Sequence, residues 1–169
     1  MNSVFKEQIV KRQSTIKDMF LRIGLVIAAL LISMIALIVL EGFGTFIAMG
    51  AIFGAWFLMS YLKVEYEYAF TDGELDIDVI YNRSRRKRLF TARVNDFEIM
   101  AHVQDNTHMG SFHNAQETRD FTSGVTNDNT YAFLLNHNGK RLKVIIEPND
   151  VMLKAIATVL TRRRLHVKM

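Results

Sequence analysis

The sequence has 169 residues, half of them hydrophobic, and a formal net charge of +4. It contains no cysteine, which excludes disulfides and thiolate metal sites. The apolar residues are concentrated in residues 23–62, and the 107 residues that follow (169 − 62) are enough for one small domain.

Taken in chain order, residues 1–22 place Phe5, Ile9, Ile16, Phe20 and Ile23 near a 3.6-residue period, with Gln13 the polar exception. Lys6, Lys11, Arg12, Lys17 and Arg22 occupy the other faces. This pattern predicts an amphipathic basic helix over residues 1–22, lying in a membrane interface with its cations near anionic head groups, with a solvated charged extension of the first span as the alternative.

Residues 23–40 and 45–62 carry no charge. Each run is close to the ~20 residues that cross a hydrocarbon core. Glu41-Gly42-Phe43-Gly44 separates them. Residues 23–62 are therefore predicted to form a transmembrane helical hairpin. The first run is long for a cleaved signal, and no small-x-small cleavage site precedes a polar start. Basic residues flank the outer ends of the pair, while the turn holds only Glu41. That asymmetry predicts both termini in the cytoplasm and the turn outside. No Asp, Glu, Lys, Arg or His interrupts either run, which argues against an ion path. Gly50 and Gly54 form a GxxxG pair, predicted to pack the two spans on each other, with homodimerisation as the alternative use.

Beyond Lys63 the periodicity becomes that of strands. Residues 64–70 and 75–81 alternate around Thr71-Asp72-Gly73, which predicts a β-hairpin. Residues 82–86 form a polar turn, residues 87–94 a third strand and residues 97–103 a fourth. Residues 104–129 are poor in apolar side chains and predict a long mobile loop, with a short strand at 118–122 that turns Phe121 inward. Residues 130–136 and 141–147 predict a second hairpin around His137-Asn138-Gly139-Lys140. Pro148 ends the sheet. Asn149 or Asp150 then caps a helix with an apolar face of Val151, Leu153, Ile156, Ala157, Val159 and Leu160. Arg162, Arg163 and Arg164 fall in its predicted last turn, where they favour the helix dipole.

Six or seven antiparallel strands closed by a C-terminal helix resemble a pleckstrin-homology-like (PH-like) domain. Tyr68-Ala69-Phe70-Thr71-Asp72-Gly73-Glu74-Leu75 is similar to the opening hairpin of bacterial membrane-bound PH-like domains. The Arg-rich turn Arg83 to Arg88 and the junction Ile146-Glu147-Pro148-Asn149-Asp150 continue the likeness. The resemblance, over residues 23–164, implies a two-span membrane protein with a mainly β cytoplasmic domain over residues 63–169. It implies a binding or scaffold role and no catalytic residues.

The residues themselves support no chemistry. His108 and His113 supply two metal ligands at most, and a site needs three or four. Asp72, Glu74, Asp76 and Asp78 read as a solvated strand face, with Leu75, Ile77 and Val79 inward. No phosphate-binding loop or nucleophile elbow is present. No enzyme activity, metal or cofactor is therefore expected. Arg83, Arg85, Arg86, Lys87 and Arg88 are the candidate contacts for anionic lipid or a protein partner, with a solvated turn that serves as a topology signal as the equal alternative. They lack the interleaved aromatics of a nucleic-acid surface, so no nucleic-acid partner is expected. The expected function is a membrane-anchored interaction module. The alternative is an accessory subunit of a larger transporter or envelope enzyme complex.

Overall fold

A computed structural model describes residues 5–160 and 165–166 of the protein. The chain forms two compact units: a helical pair with residues 14–64 and 81–84, and a β domain from the remainder.

The helical unit contains α1 (Ile16–Val39) and α2 (Gly44–Tyr61). Both helices are long and apolar enough to cross a membrane, with mean hydropathy 2.7 and 1.4. At the start of α1, the Asp18 carboxylate accepts the Thr15 N–H at 2.9 Å. This satisfies a donor that the first turn leaves open. Small side chains form the seam between the helices: Ala29, Ser33 and Ala36 face Gly44 and Ala48, and all are buried. Ser33 Oγ donates to Ala29 O at 2.7 Å and lies 3.4 Å from Ala48 O. A Cβ on Gly44 would overlap the Ala36 carbonyl.

The expected packing role of Gly50 and Gly54 is corrected here, because the space above both is open. At 3.6 residues per turn, Gly44 and Ala48 share one helix face, whereas Gly50 is rotated about 240° from Gly44. The seam uses the first face, and the GxxxG pair lies on another.

The β domain has two sheets. β1 (Phe5–Lys11), β2 (Val64–Thr71), β3 (Glu74–Tyr81) and β4 (Arg85–Arg93) form the first, in that order. The second contains β5 (Phe97–His102), β6 (Glu117–Asp120), β7 (Tyr131–His137), β8 (Lys140–Ile146) and β9 (Leu165–His166), in the order β6-β8-β7-β5-β9. The helix α3 (Asp150–Val159) follows β8. The predicted mainly β, PH-like fold class stands. Two pairings depart from the antiparallel pattern: β6 with β8 and β5 with β9 run parallel.

The predicted N-terminal helix is overturned between Phe5 and Lys11. Those residues are a strand, and β1 pairs antiparallel with β2 from Phe5↔Thr71 to Lys11↔Glu65. Phe5 and Ile9 fit a helical spacing, but Gln8 and Val10 turn inward at a spacing of two, and Val10 joins the core. β2 supplies hydrogen-bond partners to this backbone, so tertiary pairing outweighs local propensity. Residues 1–4 and the predicted last-turn Arg162, Arg163 and Arg164 lie outside the described residues.

Turn chemistry explains the two hairpins. Asp72 and Gly73 have φ of 47° and 92°, and Asn138 and Gly139 have φ of 53° and 77°. Positive φ at both central positions defines the tight turn that matches strand twist. α3 is capped by Asn149, whose side chain accepts the Met152 N–H at 2.8 Å. Tyr68, Phe70, Leu75 and Ile77 from the first sheet meet Phe97, Phe133, Val144 and Ile146 from the second, and Met152 and Ile156 of α3 close the same core. The 104–129 segment is anchored by aromatics. Phe121 enters the main core, and Phe112 packs on Ala101, Ala132 and Leu134.

Tyr68 ties the parts together. Its hydroxyl donates to Phe121 O at 2.7 Å and accepts the Glu147 N–H at 3.2 Å. Gln8 of β1 reaches the same junction. Its Nε2 donates to Glu147 O at 2.8 Å, and its Oε1 accepts the Asn149 N–H at 2.7 Å. Gln13 N–H donates to Ser123 O at 2.7 Å.

Two outcomes follow from this packing. Gly44→Ala forces the helix seam apart and destabilises the chain in detergent by roughly 1–3 kcal/mol, whereas Gly50→Ala is silent in the same thermal unfolding assay. Tyr68→Phe removes a doubly bonded hydroxyl and costs about 1–3 kcal/mol at neutral pH, read by denaturant unfolding. Burial pushes the Tyr68 pKa well up. Its stabilisation is therefore complete below the ordinary tyrosine pKa of about 10 and is lost as pH rises beyond it. Stability of the wild-type chain falls more steeply above that pH than stability of the Tyr68→Phe chain.

Candidate interaction site

The outer face of the first sheet carries most of its ionic chemistry. Glu67 leaves β2 on this face, opposite the inward Tyr66 and Tyr68, yet only 2% of its side chain is exposed. Arg86 of β4 covers it. Arg86 Nη2 lies 2.6 Å from Glu67 Oε1 and 2.5 Å from Oε2, with Glu7 of β1 further off at 3.8 Å. One turn of the alternation along, Arg88 Nε sits 3.1 Å from Asp78 Oδ1 and its Nη2 3.1 Å from Asp76 Oδ2. Thr91 Oγ1 donates to Asp76 Oδ1 at 2.6 Å. The Asp78 hydrogen bond, followed by the nearby Asp76 charge, pushes the Arg88 pKa further up, so Arg88 stays a cation at any working pH.

The basic run thus divides. Arg86 and Arg88 turn onto carboxylates of their own sheet. Arg85 and Lys87 are exposed on β4, and Arg83 is exposed in the preceding turn with φ of 56°. The acidic stretch departs from a purely solvated face. Leu75, Ile77 and Val79 are inward as expected, but Asp76 and Asp78 are largely covered and paired. A sequence signal for this existed: Asp at alternate positions 76 and 78 faces Arg at alternate positions 86 and 88 across one hairpin, a spacing that brings opposite charges together.

A second surface was not visible in the sequence. An open groove of about 520 Å3 runs beside β1, with Gln8, Ile9 and Lys11 on one wall and Ser123, Val125 and Asn127 opposite. Glu147 organises the far wall. Its carboxylate accepts the Ser123 N–H at 2.9 Å and the Asn127 side-chain amide.

The histidines do not form a centre. His108 Nδ1 is 2.6 Å from Asp105 Oδ2, and this hydrogen bond holds the Asp105 carboxyl below its ordinary range. Among the described residues, no group of three or more His, Asp or Glu converges to hold a metal ion.

The Arg86–Glu67 pair makes a testable stability claim. Arg86→Gln strands a buried carboxylate and costs on the order of 1–3 kcal/mol. Adding Glu67→Gln recovers most of that loss, because the uncompensated charge is gone. Lys87→Gln, at an exposed position, stays within about 0.5 kcal/mol of the parent. Chemical unfolding of the four chains checks all three outcomes.

Against known proteins, residues 2–165 match the family described as Bacterial PH-like domain (DUF6106). No curated protein and no solved structure matches the chain. The family match includes β1, both apolar helices, the two sheets and α3 in one continuous stretch, so this protein belongs to the Bacterial PH-like domain family (DUF6106).

Proposed function

We propose that the protein is a membrane-anchored interaction module that holds its PH-like domain at the cytoplasmic face, where the domain binds a protein partner or the anionic membrane surface. One observation carries this reading: β1 precedes the apolar helices, β2 follows them, and the two strands pair residue by residue. An even number of crossings between two paired strands is consistent with this reading. The basic residues flanking the pair support the cytoplasm as that side. The connectors are short, residues 12–15 and 62–63. Anchoring by two spans would raise the local concentration of what the domain binds.

For the lipid surface, the exposed cations of this run are Arg83, Arg85 and Lys87. Each contributes about 1 kcal/mol near anionic lipid. PH-like domains are interaction modules as a class, and the chain needs no reaction to act in this way.

The pairing also dictates how the domain must be tested. A fragment of residues 64–169 lacks β1, exposes the edge of β2, and is expected to aggregate. A chain in which a short Gly-Ser linker replaces residues 14–63 keeps β1 joined to β2 and is expected to fold as a soluble domain, checked by circular dichroism and gel filtration. That domain should bind vesicles containing phosphatidylserine, and Arg83→Gln, Arg85→Gln and Lys87→Gln together should remove most of the binding. Unchanged binding rejects the lipid role. Purification of the full chain in mild detergent tests the protein partner. A stoichiometric multi-span partner would instead favour the accessory-subunit reading.

A further inference from the structure

The outer face of the second sheet is covered by the chain itself. Strand register sets Ala101 of β5, Ala132 of β7 and Ile145 of β8 in one row across the sheet. The next row is Ile99, Leu134 and Lys143. Two methyl groups side by side, among longer side chains, leave a shallow hollow. Phe112 fills it. Its side chain is 4% exposed and packs on Ala101, Ala132 and Leu134, with Ile99 and Ile145 at the margin. Lys143 Nζ stands 5.4 Å from the centre of the ring, within cation–π range.

The segment that brings Phe112 here is built from its own turns. The N–H groups of Asp105, His108, Ser111, His113 and Ala115 each donate to the carbonyl three residues back. The Asp105 carboxylate accepts the Thr107 N–H at 3.0 Å and holds His108 Nδ1 at 2.6 Å. All these bonds stay intact if the segment lifts as one piece. It rejoins the sheet at Gln116, whose N–H donates to Arg141 O at 2.8 Å and whose Oε1 accepts the Arg141 N–H at 3.2 Å. At the other end, Val103 N–H donates to Thr130 O at 3.1 Å. Between these two ends, Phe112 is the one buried side chain among those described.

We propose that residues 104–115 are a strap latched by Phe112, and that Phe112 is the displaceable occupant of a site for an aromatic side chain. The strap lifts about its ends at Val103 and Gln116 while its own turns persist. Burial of one aromatic side chain favours the closed state by roughly 10–150-fold. A partner segment that offers an aromatic ring to the Ala101–Ala132 hollow competes with Phe112 for the same methyl groups and the same Lys143 ammonium. The contact is therefore autoinhibitory. A ring tethered by a short linker acts at an effective concentration on the order of millimolar, so weak aromatic ligands are excluded. This deepens the interaction-module reading and rests on it, but it uses a different surface, so a failure of lipid binding at residues 83–88 leaves it standing.

The absence of native cysteine makes the latch measurable. Ala132→Cys and Val144→Cys are made singly in the full chain, purified in mild detergent and exposed to a thiol reagent. Both positions are 0% exposed. Ala132 packs under Phe112, whereas Val144 belongs to the main core. Ala132→Cys is expected to react at least about 100-fold faster than Val144→Cys, by local lifting of the strap instead of unfolding of the domain. Adding Phe112→Ala is expected to speed it by about a further tenfold. A labelled synthetic copy of residues 107–116 is expected to bind the Phe112→Ala chain at least about tenfold more tightly than the wild-type chain. The same peptide with alanine in place of its phenylalanine is expected not to bind. Ala132→Cys reacting no faster than Val144→Cys overturns the proposal, because the segment then opens only with the whole domain. That comparison leaves Phe112 unchanged, so it holds even if Phe112→Ala does not fold. Equal peptide binding to both chains, or none to a folded Phe112→Ala chain, also overturns the proposal and leaves Phe112 a fixed part of the core.

Discussion

The pairing of β1 with β2 is the constraint on which this protein depends. Lys11 and Glu65 face each other although 54 residues separate them (65 − 11). A flexible loop of that length carries a closure cost. Here the loop is two antiparallel helices of 24 and 18 residues, which run out and back and return the chain near its starting point. The seam of Ala29, Ser33, Ala36, Gly44 and Ala48 allows the helices a close approach, so the exit of one strand and the entry of the next stay adjacent. The helical pair is thus inserted between two strands of one β sheet. Removing β1 would open the edge of β2 and unmake the bonds that Gln8 and Gln13 send to the far loops.

Charge is organised by the same first sheet. On its outer face Arg86 and Arg88 are committed to Glu67, Asp76 and Asp78. Arg85 and Lys87 alternate with these two along β4. A run that looks uniform as text is thus divided by the two-residue period of a strand, with Arg86 and Arg88 turned onto carboxylates of the sheet and Arg85 and Lys87 exposed. The inner face shows the complementary economy. Tyr68 brings a hydroxyl deep into the core, where it bonds two backbone groups, Phe121 O and the Glu147 N–H.

Local chemistry was legible wherever a short window contained its own cause. Asp72-Gly73 and Asn138-Gly139 each demand positive φ, so both hairpins could be placed from the residues alone. Asn149 after Pro148 announced α3, and the inward set Leu75, Ile77 and Val79 followed from alternation. Phe121 was readable as a core residue in an otherwise polar stretch. Thr15-x-x-Asp18 marked the true start of α1, but the helical spacing of Phe5, Ile9 and Ile16 masked it. The candidate site was half legible. The cations at 83–88 were visible, but their division depended on partners in β2 and β3, and the groove beside β1 had no signal at all.

Amino-acid order alone determined the two apolar helices, the turn positions, the strand-rich second half and its closing helix, since each rests on contacts within a few residues. Tertiary structure alone decided that residues 5–11 are a strand, that Gly44 and not Gly50 lies in the helix seam, and that Glu67 is a buried carboxylate under Arg86. Each of these is set by a neighbour far away along the chain. A seven-residue segment with Phe5 and Ile9 four apart is compatible with helix or strand, and only the unpaired backbone of β2 made one of them lower in free energy.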